Sequence, residues 1–330
     1  MTRRQTFHRS AIVGSAAVIA LVAASCRPND APDPAPRGAV TTDLPGNGAI
    51  AFGRLDPREV EEGAVLFADL AVVDDEGEVR LLGARVGFRS PPAWSPDGER
   101  LALIGRSGLE VIGDGGERRS LARCRPDACT GLGPPAWTSE GDAILLGAEL
   151  DGVTGLWSVP GAGGEPVLVA GGFEVIGAPT VAPDGRRAAV TVDRGAADRV
   201  LIVDLASGGI EDELAPDGVR FGDGVAWSPA GDELAVAAGV AGGAEGIYLM
   251  RLDGSGVRLL TSCPDDGCTD LGPAWSPDGT MVAFTRGRCD EPGSDCFQGD
   301  LFTIPAHGGE ARPLTKGPGL DCCPAWQPVV

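Results

Sequence analysis

Gly272-Pro273-Ala274-Trp275-Ser276-Pro277-Asp278-Gly279 is a phrase that the chain writes several times with small edits. Close versions run from Pro92 to Gly98, from Pro135 to Gly141 and from Val225 to Gly231; degenerate copies run from Pro179 to Gly185 and from Pro324 to Pro328. Marked by the tryptophan position, the copies fall at 94, 137, 181, 227, 275 and 326, at intervals of 43, 44, 46, 48 and 51 residues. A period in this range belongs to propeller blades or solenoid units. Ser-Pro-Asp-Gly is a tight turn with a mechanism: proline presets φ at the second position, aspartate suits the third, and glycine ends a type I turn. A strand therefore ends at each copy and another begins.

Each turn leads into a short apolar segment of β type, such as Arg100-Leu101-Ala102-Leu103-Ile104 or Met281-Val282-Ala283-Phe284. A third segment ends in a glycine-rich turn, as Ile247 to Met250 does before Asp253-Gly254-Ser255-Gly256, and a fourth such as Val257 to Leu260 closes the unit. Four antiparallel strands per repeat is the make-up of a propeller blade. The Pro-Ala-Trp-Ser-Pro-Asp-Gly phrase with its apolar strand and glycine-turn hairpin resembles the TolB-type β-propeller repeat, and the resemblance covers Gly48 to Val330. It implies an all-β, six-bladed propeller with the tryptophan strand innermost. Ala49-Ile50-Ala51-Phe52 matches a second strand with no tryptophan strand before it, and Pro324-Ala325-Trp326 is a tryptophan strand with nothing after it. The two ends are therefore expected to share one blade, which removes two exposed sheet edges.

Ahead of the propeller (48–330) the expected organisation is a signal peptide (1–25) and a tether (26–47). Arg3, Arg4 and Arg9 precede an apolar run from Ala11 to Ala24, then small residues and Cys26. Thr2 to Phe7 resembles a twin-arginine signal and Ala23-Ala24-Ser25-Cys26 a lipoprotein cleavage box, which implies lipidation of Cys26, with a soluble secreted product or an uncleaved anchor as alternatives. Pro28, Pro32, Pro34 and Pro36 make the next stretch an extended tether. The best-known member of the resembled family carries an α/β domain ahead of its propeller; the stretch between Cys26 and Ala49 is too short for one, so that member's specific role is not carried over.

The formal charge is −20, and residues 1–25 hold three arginines and no acid, so without them it becomes −23. Such a charge opposes phosphate backbones, and the sequence shows no basic stripe to offset it, which argues against nucleic acid as a partner. Nine cysteines less a lipidated Cys26 leave eight, an even number in an exported chain. Cys124 with Cys129, Cys263 with Cys268 and Cys289 with Cys296 each bracket a short Pro-rich loop and are expected to pair locally; Cys322 and Cys323 are adjacent and either bridge each other or join the 289/296 pair.

With the tryptophan strand innermost, the short first and third turns share one face. The longer, variable connections share the other: Arg54 to Ala64, Ala122 to Pro135, Ser262 to Pro273, Arg286 to Asp300 and Lys316 to Pro324. Irregular loops gathered on one face mark a binding face. Asp223, Asp270 and Asp321 precede tryptophan strands at similar offsets near the channel mouth, with Arg286 and Arg288 in a neighbouring loop. A carboxylate ring there would take a cation such as calcium or a basic peptide end, against the plainer reading of loop aspartates satisfying local backbone donors. Trp94, Trp137, Trp227, Trp275 and Trp326 are read as packing between blades. No other cofactor is implied, and the chain is read as a monomer.

Catalysis finds little support. The mature chain has one histidine, His307, in a glycine-rich turn; there is no Gly-x-Ser-x-Gly elbow and no asparagine after Asn47; the single tyrosine, Tyr248, lies in a strand. The sequence thus points to a membrane-tethered extracytoplasmic module that binds a protein or peptide of the cell envelope. An envelope-polysaccharide binder, hydrolase or lyase, and a structural or sensor module, are the alternatives.

Overall fold

The computed structural model describes residues 48–56, 67–74, 76–113, 115–123, 129–195, 197–241, 243–263, 268–288 and 298–329. The expected signal peptide and tether, with Cys26, Cys124, Cys289 and Cys296, lie outside the described residues. Among those residues there is no helix, and so none long and apolar enough to cross a membrane.

Antiparallel pairing sorts the described strands into six units, named by their tryptophan position. The Trp94 unit pairs Ala93–Trp94, Leu101–Gly105, Gly108–Ile112 and Arg118–Arg123 in that order. The Trp227 unit does the same with Val219–Trp227, Glu233–Val240, Glu245–Arg251 and Arg258–Leu259, and the Trp275 unit with Cys268–Trp275, Met281–Arg288, Gln298–Pro305 and Arg312–Pro313. In the Trp137 and Val181 units the inner strand is broken in two, Cys129–Thr130 with Ala136–Trp137 and Glu174–Val175 with Thr180–Val181. Pro134, Pro135 and Pro179 stand in the gaps, where a residue without an N–H cannot extend the ladder. The hydrogen-bonded sheets number five rather than six, because the parallel pair Gly299–Leu320 links the Trp275 unit to the closing one.

The two ends share one unit, as expected. Leu320–Trp326 pairs with Ile50–Leu55, setting Trp326 opposite Ile50 and Asp321 opposite Arg54. Phe67–Val73 and Val79–Gly87 complete this unit. The core lies between units, in six clusters. Five join sequence neighbours; Leu70 and Val72, for instance, share a cluster with Leu101 and Leu103. The sixth puts Ile50, Phe52 and Val73 with Ala283 and Leu301, so the first-written strands pack on the last full unit.

The repeated phrase explains the local geometry. In every full copy the glycine N–H returns to the residue three before it, as Gly98 to Ser95 (2.8 Å) and Gly279 to Ser276 (2.9 Å). The glycines hold positive φ, 70° at Gly98 and 69° at Gly279, a region that penalises any β-carbon. The tryptophan then ties one unit to the last: the indole N–H of Trp94 donates to Ala325 O (3.1 Å), Trp137 to Ala93 O (3.1 Å) and Trp275 to Ala226 O (3.2 Å). Trp227 follows the degenerate copy at Val181; its indole nitrogen is buried without a hydrogen-bond partner, and its backbone N–H is met by Thr180 Oγ1 at 3.1 Å.

Candidate binding face and channel

Two ion pairs with buried carboxylates occupy the loop-rich end. Asp270 is 1% exposed and accepts both Nε (2.7 Å) and Nη2 (2.8 Å) of Arg286, directly opposite it on the next strand. Asp321, 3% exposed, accepts Nε (2.7 Å) and Nη2 (2.6 Å) of Arg54 in the same way. Both are two-pronged, charge-assisted pairs. Each guanidinium also lies over aromatic rings, Arg54 over Phe52 at 5.5 Å and Arg286 over Phe302 at 4.9 Å and Phe284 at 5.4 Å. The hydrogen bonds to Asp321 hold Arg54 above its ordinary pKa.

These contacts separate residues that the sequence grouped. Asp270 and Asp321 stand five residues before their tryptophans and Asp223 stands four before its own, so Gly222 occupies the matching position. Asp223 sits where the ladder shifts register between Phe221 and Val225. In place of a ring of open carboxylates, Asp270 and Asp321 are each closed by an arginine, and neither lines the channel. Arg288 is exposed at the end of its strand, opposite Cys268. Among the described residues no group of three or more His, Cys, Asp or Glu side chains is placed to hold a metal ion.

Sequence reasoning missed Arg54, although Ala51-Phe52-Gly53-Arg54 and Ala283-Phe284-Thr285-Arg286 repeat one Ala-Phe-x-Arg phrase. That phrase, read against an aspartate five before the tryptophan, is the signal for the pair. A third carboxyl, Asp300, stands opposite Arg286 on the next strand. Burial, and then the charge of Asp321, push its pKa up; its Oδ1 is buried without a hydrogen bond.

The channel itself is built from the residues that precede the tryptophan positions. Pro91, Ala178, Gly224, Gly272 and Cys323 bring five units to one cavity that is open to solvent, and Arg89 also lines it. Cys263 and Cys268 are joined as a disulfide beside it, and Cys263 Sγ lies 3.7 Å from Asp270 Oδ1. Cys129 falls on a strand opposite Leu150. Cys322 and Cys323 lie on the channel wall with their Sγ atoms 2.7 Å apart.

Radial four-stranded antiparallel sheets around such a channel define a β-propeller. Within that class the chain is similar to TolB proteins. It is 37% identical over 90 residues to the Tol-Pal system protein TolB of Rhizorhabdus wittichii, a match covering 27% of this chain and 18% of that protein. The chain thus spans about a fifth of the length of that curated relative. The crystal structure of TolB from Acinetobacter baumannii superposes with a TM-score of 0.67 at 21% identity, over 87% of this chain and 68% of that one. An oligogalacturonate lyase in complex with manganese superposes with a TM-score of 0.50 at 15% identity, over 77% of this chain and 73% of that one. At these identities the structural likeness is one of fold. No protein-family model matches the chain.

Proposed function

We propose that this chain is a non-catalytic module of the cell envelope, acting outside the cytoplasm and held to a membrane through Cys26, that binds a protein or peptide with its loop-rich face and channel. The observation that carries the reading is the open cavity at the loop-rich end of a TolB-like propeller, lined largely by glycine, proline and apolar side chains, with Arg89 as its charged residue. Such a wall exposes backbone groups and shallow apolar surface to an extended segment, and its rigid rim lowers the ordering cost of binding. Asp270 and Asp321, saturated by Arg286 and Arg54, are poorly placed to act as acid or base and serve to hold the rim.

The test is a pull-down from solubilised envelope with the full chain and a channel variant, Arg89→Glu. A stoichiometric protein that the parent retains and the variant loses, at unchanged melting temperature, is the expected result; retention of glycan alone would overturn it. Cys26→Ala should release the chain from the membrane fraction. A second reading, action on an acidic polysaccharide, has the fold of the oligogalacturonate lyase in its favour. The formal charge of −20 opposes an anionic glycan.

A further inference from the structure

The repeat itself exposes an anomaly at Cys323. In the Trp275 unit the inner strand bulges at Gly272-Pro273, between the pairs Leu271–Thr285 and Ala274–Ala283, and Gly272 holds φ at 58°. The closing unit bulges at the matching place, between Gly53–Cys322 and Ala51–Ala325. Here the residue before the proline is Cys323, and it keeps the left-handed backbone, φ 67°, that its counterpart reaches as glycine. Only Arg89, Asp151 and Cys323 are non-glycine residues with positive φ among those described. Strain of this kind persists where the surroundings fix it and gathers at functional positions. It is fixed here by the Cys323 N–H, which donates to Thr285 Oγ1 at 3.0 Å, and by the fixed ring of Pro324.

The bulge brings two sulfurs together on the channel wall. Cys322 is 5% exposed and belongs to the core cluster with Leu320 and Val86; Cys323 is half-buried. Their Sγ atoms are 2.7 Å apart, against about 2.05 Å in a disulfide. A movement of about 0.3 Å by each would join them. Both line the cavity, so a small disulfide reaching the channel meets Cys323 first.

We infer that Cys322 and Cys323 form a reversible vicinal thiol–disulfide site in the channel wall, charged and discharged by exchange with a disulfide compound that enters the channel. The Cys323 thiolate attacks one sulfur of that compound, giving a mixed disulfide and releasing one thiolate. Cys322, losing its own proton, then attacks Cys323 Sγ and expels the second thiol. Two electrons and two protons pass from the pair to the incoming disulfide, which leaves as two thiols. The step reverses in excess thiol. Cys323 is the entering sulfur and Cys322 the resolving one, as their exposures require.

The sequence supplies a clean readout. Trypsin cuts after Lys316, the single lysine, and residues 317–330 then hold Cys322 and Cys323 and no other cysteine. The full chain is equilibrated in graded ratios of oxidised to reduced glutathione, quenched with N-ethylmaleimide and digested without reductant. The expected result is that peptide 317–330 goes from two maleimide labels to none, two hydrogens lighter than the dithiol, as the ratio rises. Cys323→Gly, which restores the repeat's own residue at the left-handed position, should fold, melt near the parent and never show the closed peptide. Two labels at every ratio would overturn the inference. So would closure that excess reduced glutathione fails to open, or linkage of 317–330 to the peptide carrying Cys289 and Cys296.

Discussion

Arg54 and Asp321 stand 267 residues apart in sequence and directly opposite each other across the seam that closes the propeller, joined by two hydrogen bonds of 2.7 and 2.6 Å. The carboxylate is almost wholly buried and the guanidinium about one third exposed. Removing one partner of a buried pair strands the other, and the cost exceeds what the pair itself contributes. Asp321→Ala should lower stability by about 2–4 kcal/mol, the lower end reflecting the partial exposure of Arg54. Asp321→Leu combined with Arg54→Met should cost less than the sum of the single changes in urea unfolding.

Deleting residues 320–330 removes the inner strand of the closing unit. Ile50–Leu55 then loses its partner, and Leu320 and Cys322 leave the cluster between the Trp326 and Trp94 units. An open edge and a lost seam should lower the melting temperature by on the order of 10 °C or more. Calorimetry of the truncated chain should also show a broader transition; a sharp one at the parent temperature would mean that the ends do not lock the ring.

Thr261 and Thr315 hold the third strand of successive units from the side of the fourth. Thr261 Oγ1 accepts the Ile247 N–H and Thr315 Oγ1 the Leu301 N–H, each at 3.0 Å and buried. Thr261→Val keeps the shape and leaves the Ile247 N–H unmet, at a cost of about 1–3 kcal/mol. Denaturant titration would register this as a lower midpoint with unchanged slope.

Asp300 sets a pH dependence whose sign follows from its raised pKa, caused by burial and then by the charge of Asp321. Below the unfolded value of about 3.9 both states are protonated and nothing is lost. As pH rises through the higher folded value, ionisation penalises the folded chain, and the penalty is complete at neutral pH. Asp300→Asn should therefore melt about 1–2 °C above the parent at pH 7, a small gain because solvent still reaches and screens part of the group. The gain should vanish near pH 3.5. A gain that grew on acidification would have the wrong sign.

Much of the fold is legible in one phrase. Trp94, Trp137, Val181, Trp227 and Trp275 at near-even spacing, each followed by a tight turn and an apolar strand, dictate repeated sheets, because turn chemistry and strand alternation act over a few residues. Closure is legible too, since an orphan second strand at Ile50 and an orphan inner strand at Trp326 complete each other. The site is less so. Asp270, Asp321 and Arg286 stand out in the sequence at one end of the blades, but Arg54 does not, because Arg54 and Asp321 meet only after the whole chain has turned through the ring. Pro134, Pro135 and Pro179 also break two inner strands that the repeat alone would draw as continuous.

By itself, the sequence determined the number of repeats, the place of the tight turn that follows each inner strand and the strand that this turn starts, for these are local matters of φ, hydrogen bonding and apolar spacing. Only the tertiary structure decided that Asp270 and Asp321 face arginines instead of the channel, and that Cys323 and Cys322 meet on its wall. Those outcomes depend on register and on bulges. A shift of one residue on a strand changes the face that a side chain occupies, and the shift is set by packing between units rather than by any neighbour in sequence.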